Sequence, residues 1–153
     1  MVNDVYGVIL KLTKIEENTG KLYGLFSKMH PSDFAFWTQL ANEEKNHAHL
    51  LKINRDYIAS SPILYKYLLA TSVETLQNIN EKIEEIIASC EMRKLARMDC
   101  LMIGLQIEQS AGELNYQQTM ASENDDIVLQ VMKLLSTEDH NHAKQITQYM
   151  QAN

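Results

Sequence analysis

The stretch Glu43-Glu44-Lys45-Asn46-His47-Ala48 returns 95 residues later as Glu138-Asp139-His140-Asn141-His142-Ala143. Upstream of it, Ile15-Glu16-Glu17-Asn18-Thr19-Gly20-Lys21-Leu22 returns 92 residues later as Ile107-Glu108-Gln109-Ser110-Ala111-Gly112-Glu113-Leu114. The near-equal offsets place both matches in one repeated unit. The matched positions are rich in Glu, Asp and His, the residue types that titrate and ligate metals.

Working outward, helical periodicity extends across each unit. The first helix is expected over about Asp4 to Met29, with Asn3 or Asp4 as its N-cap. Pro31 breaks the chain, and Ser32 or Asp33 can cap a second helix running to about Ala59. Ser60, Ser61 and Pro62 form the next break. Residues 63–92 make a long connection with a helix of its own, whose apolar stripe is Val73, Leu76, Ile79, Ile83, Ile86 and Ile87. Glu74, Glu81, Glu84 and Glu85 fall on its solvated side. A third main helix is expected from about Arg93 to Ala121, and a fourth from the turn at 122–126 to about Met150.

Short loops within each unit make its two helices antiparallel neighbours, while a connection of some thirty residues is long enough to cross a bundle. The expected fold is all-α: a four-helix bundle of two antiparallel hairpins joined by a long crossover containing an extra helix. The whole of 1–153 reads as a single domain, with 60–92 as the crossover.

Composition agrees. The chain is 45% apolar and 22% charged, with only 5 Gly and 2 Pro in 153 residues. That is a globular balance, and so few turn formers disfavour an all-β fold. The net charge of −6, with no Lys/Arg cluster, argues against a nucleic-acid partner. No apolar run reaches the ~18 residues of a membrane span. The first residues lack a basic segment before an apolar run, so no signal peptide is expected. Cys90 and Cys100 are too few for a four-cysteine zinc site or a disulfide framework, and their spacing is not that of a redox pair. Two reduced thiols in a cytoplasmic protein is the reading that remains.

The bundle seams carry charges where a core should be. In the first helix the stripe is Val5, Ile9, Leu12, Glu16, Thr19, Tyr23 and Phe26, in alternating steps of four and three. In the second it is Trp37, Leu40, Glu44, His47, Leu51 and Ile58; in the fourth, Val128, Met132, Leu135, Asp139, His142, Ile146 and Tyr149. Leu101, Leu105, Glu108 and Ala111 share a face of the third. Glu17, Glu43, His49, Glu138 and His140 fall off these stripes. Six ionisable groups therefore point inward: Glu16, Glu44, His47, Glu108, Asp139 and His142. Counting along each hairpin at 1.5 Å per residue places them at one level, roughly 20 Å from the turns. Four carboxylates buried together repel, and a cation among them would remove the penalty.

This set resembles the ferritin-like superfamily, and its rubrerythrin branch most closely. The likeness covers nearly the whole chain and rests on one Glu from each of two helices and an acid-x-x-His pair from each of the other two. Glu44-Lys45-Asn46-His47-Ala48 looks like the rubrerythrin second-helix motif, and Glu16 with Tyr23 looks like its first-helix motif. The resemblance implies Glu16, Glu44 and His47 as one half-site and Glu108, Asp139 and His142 as the other. It implies Glu44 and Glu108 as bridging carboxylates, with His47 and His142 terminal. Tyr23 can stand behind them as a hydrogen-bonding residue or be a plain core tyrosine. The chain departs from the rubrerythrin pattern in three places. It lacks a four-cysteine rubredoxin-like module, carries Ala111 in place of an extra Glu, and has Asp139 in place of Glu.

Mixed carboxylate and imidazole ligands suit Fe, and accept Mn or Zn. What the resemblance implies is a dinuclear iron protein that oxidises Fe(II) with peroxide or O2. It would draw on an external electron donor such as a rubredoxin-like protein, with a homodimer as the family's usual assembly. Two other functions fit the same residues: a non-enzymatic iron-binding, buffering or metal-sensing module, and an interaction protein that keeps the bundle without metal.

Overall fold

The computed structural model describes residues 5–61, 73–120 and 127–153, with side chains given outside 111–120, 127–133, 135, 136, 139 and 140. Among the described residues there are six helices and no strand. They are α1 (Val5–Met29), α2 (Phe34–Ile53), α3 (Arg55–Ser60), α4 (Val73–Met92), α5 (Arg97–Met120) and α6 (Ile127–Ala152). A short 3₁₀ turn, Pro31–Asp33, joins α1 to α2. The expected caps Asn3 and Asp4, and the turn at 122–126, lie outside the described residues.

The periodic stripe of α1 is what folds it inward. Val5, Val8, Ile9, Ile15, Leu22, Tyr23 and Phe26 are buried, and the helix packs against both α2 and α4. The second pair, α5 and α6, packs together likewise. On α4 the buried positions Leu76, Asn80, Ile83 and Ile87 face α1, while Glu74, Glu81, Glu84 and Glu85 are exposed as their stripe position requires. Asn80 donates to the Lys11 carbonyl at 3.1 Å, and Asn18 reaches Asn80 Oδ1 at 3.4 Å. Buried amides that satisfy one another fix the register of α4 on α1.

Close approach of α1 and α2 depends on Gly20, where a Cβ would stand 3.2 Å from the Ala41 carbonyl oxygen. The helices can touch there because that side chain is absent. Trp37, fully buried, is the centre of an aromatic cluster with Tyr23, Phe26 and Phe36 at ring separations of 5.0, 5.1 and 5.1 Å. Its ring lies against Gly104 of α5, where a Cβ would come within 2.9 Å of the indole.

Three boundaries differ from the sequence reading. The second helix does not run unbroken to Ala59, because Asn54 interrupts it. Its amide N–H and side-chain Nδ2 both donate to the Leu50 carbonyl, at 3.1 and 2.8 Å. A side chain that competes for a helical acceptor in this way ends the regular ladder. The third main helix begins at Arg97 rather than Arg93. The link before it is held by the His30 ring on the Leu95 carbonyl at 2.9 Å, with the Leu95 side chain buried.

The third difference is Asp33, which makes no side-chain cap to α2. Arg97 instead grips its two oxygens at 2.7 and 3.0 Å, and Tyr149 donates to Oδ1 at 2.7 Å. A two-pronged guanidinium contact outcompetes a backbone cap. It ties the first turn of α2 to α5 and α6. Burial opposes the Asp33 charge, but the Arg97 and Tyr149 hydrogen bonds hold its carboxyl below the ordinary range. A carboxyl depressed in the folded state stabilises the fold above its unfolded value, ~3.9, and that contribution is lost as pH falls through the folded value. Urea melts of Asp33→Ala and parent are therefore expected to differ clearly at neutral pH and to converge in acid. A gap that persists unchanged at the lowest pH would show that the clasp is not ionic.

No helix among the described residues is long and apolar enough to cross a membrane.

Candidate metal centre

The inward positions of the stripes converge. Glu44 and His47 lie one turn apart on α2, where i, i+3 spacing puts them on a single face. Both are buried, at 2% and 1% exposure. Glu16 of α1 reaches the same point, with Oε2 3.2 Å from His47 Nδ1. Glu44 Oε2 lies 3.4 Å from that nitrogen. The other oxygen of Glu44 turns to the second hairpin: Oε1 stands 2.8 Å from His142 Nδ1, and Glu108 Oε2 stands 3.6 Å from the same atom. The two imidazoles stack, with centroids 5.5 Å apart and planes 14° from parallel.

Two groups result, each able to hold a metal ion: Glu16, Glu44 and His47, and Glu44, Glu108 and His142. Glu44 belongs to both. Five of the six residues singled out in the sequence are brought together. Asp139 lies on α6, and its side chain falls outside those described. Glu44 is one of the two carboxylates that the resemblance implies as bridging. Among the described residues Glu108 belongs to one group alone, because its second oxygen is taken: Tyr23 donates to Oε1 at 2.5 Å. Tyr23 is thus more than a packing residue.

The helix faces of Glu43 and Glu138 argue against a place at the site, yet both meet the outer faces of the histidines. Glu138 meets His47 Nε2, and Glu43 accepts from His142 Nε2 at 2.6 Å. Each hairpin orients the histidine of the other. A carboxylate on Nε2 holds a proton there and keeps Nδ1 facing inward. Both residues fall off the apolar stripe because they are half-exposed, at 33% and 41%. The signal that could have found them is the repeat itself, which aligns Glu43 with Glu138 at the same 95-residue offset as the histidines.

The electrostatics reflect crowding. Burial, then the Glu44 carboxylate, raises the Glu16 carboxyl to about 8, against the opposing pull of His47. For His142, burial disfavours the charged ring, yet the Glu108 and Glu44 carboxylates override it and lift the ring to about 11. Protons occupy the cluster where no other cation does.

The donor set also fits a metal. Glu44 Oε1 and His142 Nδ1 face each other, buried, 2.8 Å apart. Without a metal, the Glu44 and Glu108 carboxylates favour the protonated His142 ring. A cation held between the carboxylates and imidazoles can take the place of those protons. Two of the cations are committed elsewhere: the Lys52 ammonium pairs with Glu17 and the Arg97 guanidinium with Asp33. His49 is exposed, His30 is committed to the Leu95 carbonyl, and the His140 side chain lies outside those described.

The chain matches no family model, no curated protein and no solved structure.

Proposed function

We propose that this chain is a rubrerythrin-like protein of the ferritin superfamily, with two helical hairpins and a crossover around a dinuclear iron site. It would oxidise Fe(II) with peroxide or O2 and receive electrons from an external donor. The observation that carries the reading is Glu44, a buried carboxylate shared by two Glu/His groups, with one oxygen toward each imidazole.

Two Fe(II) ions, when bound, supply the two electrons that reduction of peroxide to water takes. The chain's own part is to hold and orient. Glu44 offers one oxygen to each half-site, so both positions share a ligand. Glu138 and Glu43 fix the rings of His47 and His142 with Nδ1 inward. Tyr23 pins one oxygen of Glu108 and leaves the other facing His142. By resemblance Asp139 adds the remaining carboxylate. Burial of Glu44, Glu108 and both histidines keeps bulk water from competing for these donors. These 153 residues hold two cysteines, so a four-cysteine electron relay is not built from them.

Anaerobic Fe(II) loading followed by desalting and elemental analysis tests this. About two irons per chain are expected in the parent, as in carboxylate-bridged bundles, with clear loss in an Asp139→Ala, His142→Ala variant. Oxidation of the loaded iron by peroxide then separates an enzyme from an iron-holding module. A parent that retains no metal would remove the basis of the proposal.

A further inference from the structure

A cavity of about 460 Å3 opens between α2 and α6 and reaches both histidines. Its lining is made of repeat-related pairs, Glu43 with Glu138, Asn46 with Asn141 and His47 with His142, each 95 residues apart. Leu50 and Gln145 complete it at the same spacing. A cavity built from both copies of a repeat in equal measure faces both half-sites alike. It contains no Lys or Arg. Asn46 and Asn141 are exposed at its rim, Glu43 and Glu138 are half-exposed within it, and the imidazoles at its floor are 1% exposed. On the inner side of those imidazoles, buried Glu44 Oε1 faces His142 Nδ1 at 2.8 Å.

We propose that this cavity is the route by which a hydrated divalent cation reaches the centre, with Glu43 and Glu138 as its transient ligands on the way. The proposal rests on reading the inner cluster as a metal centre. A divalent ion sheds its water reluctantly, so a passable route must offer oxygen donors in sequence. Here the lining offers the Asn46 and Asn141 amides and the Glu43 and Glu138 carboxylates, and the last two meet the imidazoles of the centre. Two carboxylates in a cleft with low-dielectric walls also concentrate cations at its mouth. Each of the two touches the cavity with one side and an imidazole Nε2 with the other, so it can turn outward to a cation and return to hold its ring.

The test is the rate of anaerobic Co(II) uptake by the full chain, followed by stopped-flow absorption, with final Co(II) content measured separately. Asn46→Lys, Asn141→Lys adds positive charge at the rim, on exposed positions outside the two Glu/His groups. Uptake is expected to slow about tenfold or more at low ionic strength, with final content unchanged. Asn46→Asp, Asn141→Asp is expected to quicken it. Ala88→Lys, Gln151→Lys, with the same net charge change at exposed positions elsewhere, is expected to stay within about twofold of the parent. An unchanged rate in the rim variants, an equal slowing in the remote variant, or a lowered final content in the Asn46→Lys, Asn141→Lys chain would each overturn the route. A parent that takes up no Co(II) would instead overturn the metal reading, and the route with it.

Discussion

Replacing Glu44 by Ala is expected to empty both halves of the centre at once, taking bound metal from about two ions per chain to near none. Replacing Glu16 is expected to weaken one half and leave the other, with about one ion retained. The asymmetry follows from geometry. Glu44 gives Oε2 to the group with His47 and Oε1 to the group with His142, whereas among the described residues Glu16 belongs to the group with His47 and not to the other. Elemental analysis after desalting reads the stoichiometry, and circular dichroism of the metal-free chains checks that both variants still fold. If Glu16→Ala and Glu44→Ala lose metal equally, Glu44 does not act as the shared ligand. The metal-free parent is also expected to melt lower than the loaded one. At a free metal concentration a thousandfold above Kd, binding to the folded state alone stabilises by about 4 kcal/mol.

Trp37→Ala is expected to cost roughly 3–5 kcal/mol of folding stability, the range for removing a fully buried large aromatic. Trp37 is 0% exposed and touches three other aromatic rings, and its indole edge occupies the space that Gly104 leaves open on α5. Among the described residues its Nε1 has no hydrogen-bond partner. The whole loss therefore comes from packing, and Trp37→Phe is expected to lose less than Trp37→Ala. Urea unfolding followed by circular dichroism measures it, since the only tryptophan of the chain is the one removed. A loss under about 1 kcal/mol would be ordinary for a surface site and incompatible with this cluster. Tyr23 packs on the same ring and donates to Glu108, so the cavity left by Trp37 opens directly beside a ligand's anchor.

Much of the candidate centre was legible in the chain because a buried charge is costly. A Glu or His in the middle of an apolar seam requires a partner, and the repeat showed that such positions came in matched sets. Glu44, His47, Glu108 and His142 are found buried, with Glu16 beside them. The same reasoning passed over Glu43 and Glu138, since a half-exposed carboxylate on a helix flank is ordinarily solvated and periodicity carries no information about what lies opposite it. Asp33 misled for a related reason. Next to a helix start it reads as a cap, and the Arg97 that claims it is 64 residues away.

By itself the sequence determined that this chain is helical, that its apolar stripes have charged interruptions at one level, and that those interruptions repeat. Local spacing suffices for that, because helical periodicity converts residue number directly into face and height. Tertiary structure alone decided which atoms meet: that Glu44 divides its oxygens between two imidazoles, that Tyr23 takes one oxygen of Glu108, and that each hairpin holds the other's histidine from outside. Those are contacts between helices far apart in the chain. They depend on the rotation and separation of packed helices, and bulk at single positions such as Gly20, Gly104 and Trp37 sets both.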